Sequence, residues 1–186
     1  MARPALFSGV KPVAAALLAL LLAAAPAAAQ QPLEQAVKAA FLPKFARYIV
    51  WPAAARPGAG AALQLCLIGP DPFGPLIDKA VAGQQIDQNP IQVRRVGPGG
   101  STSGCHIAFV RGATDAATRR ILDALAGTSV LTVTDARDGA ARGMIHFAVN
   151  NGRVSFHVDD AAAARSRLGI SSRLLALALS VKQRPS

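Results

Sequence analysis

The sequence is poor in acidic residues and lacks the short motifs of common enzymes. It carries ten aspartate and glutamate residues against twenty lysine and arginine residues, and its sole glutamate is Glu34. It contains no G-x-S-x-G, H-E-x-x-H or C-x-x-C pattern, which excludes the usual hydrolase elbow, zinc-protease helix and thiol-redox motif. We therefore predict a protein that is not an enzyme, with no catalytic residues and no cofactor.

Long apolar runs are also scarce. The uncharged run from Val13 to Leu22 is shorter than the roughly 20 residues that span a bilayer. Two basic residues precede it and Ala27–Ala29 follow it, which is the pattern of a secretory signal peptide. We predict that residues 1–29 are a signal peptide cleaved after Ala29, and that residues 30–186 form one domain exported to the bacterial periplasm.

The net charge is strongly positive, +10 for the whole chain and +8 once Arg3 and Lys11 leave with the signal peptide. In a cytoplasmic protein such a charge would suggest nucleic acid, but an exported protein meets little of it, and the arginines do not form a stripe with aromatic residues. We predict no nucleic-acid partner. Solvated arginine-rich faces are the favoured interpretation, with an acidic ligand or an anionic membrane surface as the alternative.

Two cysteines, Cys66 and Cys105, lie in apolar, strand-like segments. In an oxidising compartment we expect them to be joined, which would stabilise the fold by about 4 kcal/mol through loop closure. Their Cα atoms must then lie within about 7 Å, so the two strands should be neighbours. A structural disulfide and a redox-responsive one both remain open at this point.

Apolar strands alternate with helical segments along the chain. Turn and cap residues separate these segments, among them Gly69-Pro70, the GPGGSTSG loop and Thr114. We predict an α/β fold: a single compact domain with a largely parallel β-sheet flanked by helices and a C-terminal antiparallel hairpin. The predicted parallel strands are Leu63–Ile68, Ile91–Val96, Cys105–Val110 and Ser129–Thr134.

The hairpin is predicted from Asn151-Gly152, a strong signal for a two-residue turn. Counting back from this turn pairs His146 with His157 on the polar face of the hairpin. Two histidines about 5 Å apart at Cβ could share a metal ion, but a third ligand is missing, so we predict no metal site. A solvent-facing or interfacial histidine pair is the alternative.

Other candidate contacts follow from the rule that α/β sheets bind ligands beyond the carboxyl ends of their strands. Asp71, Arg111 and Asp135 each follow a predicted strand closely. Together with His146 and His157, they are our candidate ligand or partner contacts. A periplasmic small-molecule-binding module is one of the two alternative functions that we carry, and an accessory subunit of an envelope transport assembly is the other.

The segment after the signal peptide predicts an amphipathic helix. Its apolar stripe is formed by Leu33, Val37, Phe41, Phe45 and Tyr48, and its cations, Lys38, Lys44 and Arg47, fall off that stripe. We expect the apolar face to pack on the core.

Six segments in order, over nearly the whole mature chain, resemble the YfiR family of periplasmic proteins. They are VKAAFLPKFARYIVWP, LQLCLIGPDPFG, CHIAFV, SVLTVTD, GMIHFAVNNGRVSFHVD and ISSRLLALA. The resemblance implies a compact α/β domain, often a homodimer, that represses an inner-membrane diguanylate cyclase through its periplasmic sensor region. It also implies an outer-membrane lipoprotein that relieves the repression, and a Cys66–Cys105 disulfide linked to stability and redox control.

The chain departs from the family pattern at several positions. Pro43 stands where members usually carry an aromatic residue, and a proline inside a helix costs about 3 kcal/mol, so we expect the helix to kink or restart there. His157 and Asp159 occupy positions that commonly read Glu and Asn. A second cysteine pair, found in some members, is absent, so a redox response would depend on Cys66 and Cys105 alone.

Overall fold

Ten strands and five α-helices make up the part of the chain that this computed structural model describes, residues 25–135, 137 and 139–184. The strands are β1 (Ile49–Val50), β2 (Leu63–Ile68), β3 (Gln85–Ile86), β4 (Asn89–Val96), β5 (Ile107–Val110), β6 (Leu131–Asp135), β7 (Ile145–Asn150), β8 (Arg153–Asp159), β9 (Gly169–Ile170) and β10 (Ser180–Lys182). The helices are α1 (Ala25–Phe45), α2 (Pro75–Val81), α3 (Asp115–Leu125), α4 (Asp160–Arg165) and α5 (Ser172–Leu175). The predicted signal peptide lies outside the described residues, apart from 25–29 at the start of α1, and stays a prediction.

Eight of the strands form one sheet in the order β10-β8-β7-β6-β5-β2-β4-β3. The central strands β4, β2, β5, β6 and β7 are all parallel, and helical crossovers join β2 to β4 and β5 to β6. Strand β8 returns antiparallel to β7, and β10 runs parallel to β8. Strands β1 and β9 form a separate antiparallel pair. The predicted α/β fold with a largely parallel sheet and a C-terminal hairpin is confirmed.

The two faces of the large sheet are covered unequally. Alternate residues of each central strand point to opposite faces, as Leu65 and Cys66 do on β2. The first face packs under α1, α2, α4 and α5 in one extended core. The second face has a much smaller core under α3 alone, formed by Cys66, Ile68, Val96, Cys105, Ala108, Val110, Leu125 and Val130.

The predicted amphipathic helix is present as α1, but its buried face differs from the predicted stripe. From Glu34 onward the buried apolar side chains are Ala39, Leu42 and Phe45, whereas Phe41 is only partly buried. Phe45 packs edge-on against Phe156 of β8, with ring centroids 5.3 Å apart. The aromatic residues of α1 therefore attach the helix to the hairpin strands.

A cation and a proline of α1 need a structural explanation. Lys38 lies off the predicted apolar stripe and is nevertheless completely buried, because acidic partners within the fold satisfy its charge. The helix does not restart at Pro43 but continues to Phe45, where the 3-10 turn Ala46–Tyr48 follows. A proline this close to the helix end removes only one backbone hydrogen bond, the one that the Ala39 carbonyl would have accepted.

The predicted hairpin is confirmed in detail. Asn151 and Gly152 have φ values of +49° and +74°, as a type I′ turn requires. The register pairs His146 with His157 and Phe147 with Phe156. The phenylalanines face the first face of the sheet and the histidines face the second, so the turn determines which side of the hairpin enters the main core.

Candidate functional site

The carboxyl ends of β2 and β5 lie where the chain changes direction across the sheet. From β2 the chain crosses through α2 to β4 on one side, then returns to β5 on the other side and continues through α3 to β6. Numbered by chain order, the five parallel strands stand in the order 2-1-3-4-5, a doubly wound arrangement. Ligands of doubly wound folds bind at this switch point, between the first and third parallel strands.

The loops that follow β2 and β5 touch at this switch point. Gly69 has a φ of +96°, and a Cβ added to it would lie 1.7 Å from the carbonyl oxygen of Arg111. A residue with a side chain cannot take this place without moving the neighbouring backbone. The contact fixes the two loops beside one another.

A cleft of about 590 Å³ opens beside these loops on the second face of the sheet. We call it the switch-point cleft. It is lined by Gly69-Pro70, Gly97–Gly100, Arg111–Ala113 and one side of α3. Most of the side chains that α3 contributes are apolar, including Ala117, Ile121 and Ala124. The combination of a concave apolar surface and a few polar groups is typical of small-molecule sites.

Only one of the three predicted strand-end contacts lines the switch-point cleft. Arg111 does so, as the sequence led us to expect. Asp71 instead accepts hydrogen bonds from the backbone amides of Phe73 and Gly74 and pairs with Arg95 at 2.8 Å, so it shapes the entry to α2. Asp135 points to the first face of the sheet. The candidate residues therefore do not form one site.

Asp135 belongs to a buried cluster of charges with Lys38 and Glu34. The ammonium group of Lys38 contacts both carboxylates, and Arg137 donates to Glu34 at 2.6 and 2.9 Å. Burial opposes ionisation of Glu34, but the hydrogen bonds from Lys38 and Arg137 outweigh it and place the pKa of Glu34 below its usual value. The cluster connects α1 to the carboxyl end of β6.

Sequence reasoning missed this cluster, although one signal for it was present. Glu34 and Lys38 stand four residues apart, the spacing of an ion pair on one helix face. Nothing in the sequence showed that Asp135, 97 positions from Lys38, would face the same point. The partner of a buried lysine is set by the fold and not by local spacing.

The two histidines of the hairpin lie opposite one another in different surroundings. Their ring centroids are 6.5 Å apart. His146, expected on a polar face, is only 3% exposed and its Nδ1 bonds to the hydroxyl of Thr134 at 2.8 Å. Burial, aided by the nearby charge of Arg142, lowers the pKa of His146 to about 4. Nδ1 of His157 instead bonds to Ser180 of the last strand.

The histidine pair gains no further metal ligand. Across the residues that the structure describes, no three side chains among His, Cys, Asp and Glu come together as a metal site requires. None of the described helices combines the length and the apolar character needed to cross a bilayer.

The predicted disulfide joins Cys66 to Cys105, with Cα atoms 5.8 Å apart. Its strands are neighbours, since β2 pairs with β5. Arg94 of the adjacent strand β4 lies beside it, with Nη2 3.0 Å from Cys105 Sγ and 3.4 Å from Cys66 Sγ. The same nitrogen donates to the carbonyl of Ser103 at 2.6 Å. The guanidinium of Arg94 therefore lies against both sulfur atoms of the disulfide.

The fold and the disulfide define a disulfide-bonded α/β domain with an open cleft at its switch point. The family model for YfiR/HmsC-like proteins, DUF4154, matches residues 35–179, and the chain therefore belongs to the YfiR/HmsC-like family. Proteins of this family are periplasmic, and they regulate diguanylate cyclase signalling and do not catalyse reactions. A comparison with curated proteins found no match.

Proposed function

We propose that this protein is exported to the periplasm and represses an inner-membrane diguanylate cyclase by binding its periplasmic sensor region. The observation that carries the proposal is the family match, which extends over most of the described fold. The disulfide supports the location, because such bonds persist in oxidising compartments. The proposal includes a homodimer, and release from the cyclase by an outer-membrane lipoprotein.

The segment that follows α5 offers an apolar surface for the cyclase. Leu177 and Leu179 follow α5 and are 64% and 52% exposed. A groove of about 240 Å³ adjoins Leu177 and is also lined by Phe41 and Tyr48. Large exposed apolar side chains grouped beside a groove mark interaction sites more often than single ones do. We therefore assign this surface, the α5 groove, to the partner.

Charge favours an acidic partner for the α5 groove. Lys44 and Arg47 line it, and the chain as a whole is strongly basic. An acidic sensor region would be steered to such a surface and would bind less well as salt screens the attraction. The proposal thus predicts both a contact surface and a salt dependence.

The test is direct binding between the purified mature protein and the periplasmic sensor regions of the host's diguanylate cyclases, measured by surface plasmon resonance. We expect saturable binding to at least one sensor region, weakened at least about tenfold by Leu177→Glu, because a charge would be buried at the contact. Ala176→Glu, an equal charge change at an exposed neighbour outside the groove, is the control. Failure of every sensor region to bind at low salt would contradict the proposal.

Redox control is the second part of the proposal. Reduction would remove the covalent link between β2 and Cys105, the residue two positions before β5, and leave Arg94 beside two sulfur atoms. We expect the reduced protein to bind the cyclase with altered affinity. If the oxidised protein and a Cys66→Ser/Cys105→Ser variant bound the sensor region with equal affinity, the disulfide would have only a structural role.

A further inference from the structure

We propose that the switch-point cleft binds a small organic anion, an apolar aliphatic or aromatic body that carries a carboxylate. The proposal does not depend on the cyclase as the partner. It rests on the position of the cleft in the sheet, its size, the apolar character of its walls and the sign of the charges that line it.

The position of the cleft follows from topology. The crossover after β2 passes through α2 on the first face of the sheet, and the crossover after β5 passes through α3 on the second face. The two crossovers diverge beyond the carboxyl ends of these neighbouring strands, where a crevice forms beside α3. The loops that line it begin with Gly69-Pro70 directly after β2 and Arg111-Gly112 directly after β5. The fold thereby leaves an opening at the point where doubly wound sheets hold their ligands.

The size of the cleft fits a molecule of moderate size. Its volume of about 590 Å³ lies within the range of roughly 300–1,000 Å³ that small-molecule sites occupy. Small residues create the space, since α3 presents Ala117 and Ala124 to the cleft and the loop Gly97–Gly100 faces them with a single proline side chain. Burying the apolar part of a ligand against these walls would supply most of the affinity.

The charges of the cleft select an anion. Both charged residues that line it within the described chain are arginines, Arg111 and Arg120, and no acidic residue lines it there. Arg120 is exposed and makes no ion pair with a described residue. A guanidinium at the mouth of an apolar cleft binds a carboxylate with two parallel hydrogen bonds, in the geometry that carboxylates prefer.

A pair of fluorescent probes tests the apolar and anionic parts separately. One is 8-anilinonaphthalene-1-sulfonate, and the other is N-phenyl-1-naphthylamine, its counterpart without the sulfonate. Both should bind the wild-type protein. We expect Ala124→Trp, which fills the cleft, to weaken both probes at least about tenfold. Ala113→Trp, at a second exposed position that lines the cleft, repeats the test if the first variant does not fold.

Charge reversal at Arg120 tests whether the switch-point cleft prefers an anionic ligand. We expect Arg120→Glu to weaken the sulfonate probe about tenfold and to change the uncharged probe less than about twofold, since the lost contact is a charged one. Arg153→Glu, at the exposed start of β8 and outside the cleft, makes the same change in net charge and is the control. Circular dichroism shows whether each variant is folded.

Competition then tests the carboxylate itself. Decanoate and indole-3-acetate should displace the sulfonate probe from the wild-type protein, and their amides should do so at least about tenfold less well. Three results would overturn the proposal: unchanged probe binding in the folded tryptophan variants, equal effects of Arg120→Glu and Arg153→Glu, or equal displacement by acids and amides.

Discussion

The two faces of the sheet are held together by different means. On the first face, four helices bury an extended apolar core, and the side chains of Lys38, Glu34 and Asp135 form a buried charged cluster beside it. On the second face, α3 covers a small core, the Cys66–Cys105 disulfide links β2 to the start of β5, and the switch-point cleft stays open. The disulfide supplies stability on the face of the sheet where little apolar area is buried. The part of that face that α3 leaves uncovered is available for binding.

The largest effect that we predict comes from breaking the closed cluster on the first face. Lys38→Met should destabilise the fold by about 3–5 kcal/mol, because it leaves the buried carboxylates of Glu34 and Asp135 without their shared cation. Urea denaturation measures the loss. Lys44→Met, on the exposed side of the same helix, is the matched control and should stay within about 0.5 kcal/mol of wild type. Equal stability of the two variants would show that the cluster is not a structural element.

Removing the disulfide should cost nearly as much on the second face. The loop that it closes separates the cysteines by 39 positions, which predicts a loss of about 4 kcal/mol for Cys66→Ser/Cys105→Ser. The measurement is urea denaturation with and without a reductant. Reductant should destabilise the wild-type protein to the level of the variant and leave the variant unchanged. If reductant left the stability of the wild-type protein unchanged, the disulfide would not be what stabilises the second face.

Acid should act on the second face through His146. Its pKa is about 4 in the native protein and 6.5 in the unfolded chain. Between these two pH values His146 is protonated in the unfolded state but neutral in the native state, so acid favours unfolding. Stability from this residue is therefore full above pH 6.5 and is lost as pH falls towards 4, by at most about 2 kcal/mol at pH 5. Denaturation midpoints between pH 7 and 5 measure this slope. His146→Gln should flatten it, and an unchanged slope would count against a buried neutral histidine.

The smallest predicted effect sharpens the contrast with Lys38. Arg120→Glu reverses a charge in the open cleft, where solvent screens it, and should change stability by less than about 0.5 kcal/mol. Thermal unfolding of the Arg120→Glu and Lys38→Met variants side by side compares the exposed cation with the buried one directly. A loss as large as that of Lys38→Met would mean that the cleft arginine supports the fold and is not held available for a ligand.

Elements with strong local signals could be predicted from the sequence. Strand β2 matches its predicted bounds, and Asn151-Gly152 predicted both the hairpin and its register, because a two-residue turn leaves one pairing. Strands β1, β9 and β10 were not foreseen. They have two or three residues each, too few for a periodic pattern, and pair only because distant segments meet.

The candidate sites show the same division between local and distant signals. The cysteine pairing followed from the oxidising compartment and the presence of only two cysteines, and the position of Arg111 followed from the strand-end rule. The burial of Lys38 and the role of Asp71 in the turn before α2 did not follow, because each depends on contacts that only the folded chain creates. Arg120 was not predicted as a site residue, because no sequence pattern distinguishes a ligand-binding arginine on a helix surface from a solvated one.

Cellular cyclic-di-GMP tests the proposed function most directly, measured in the native host with this gene deleted and again with it restored from a plasmid. Repression of a cyclase predicts a rise on deletion that the wild-type copy reverses and the Leu177→Glu copy does not. A level that stays unchanged on deletion, under growth conditions in which the protein is produced, would contradict a role in restraining cyclic-di-GMP synthesis.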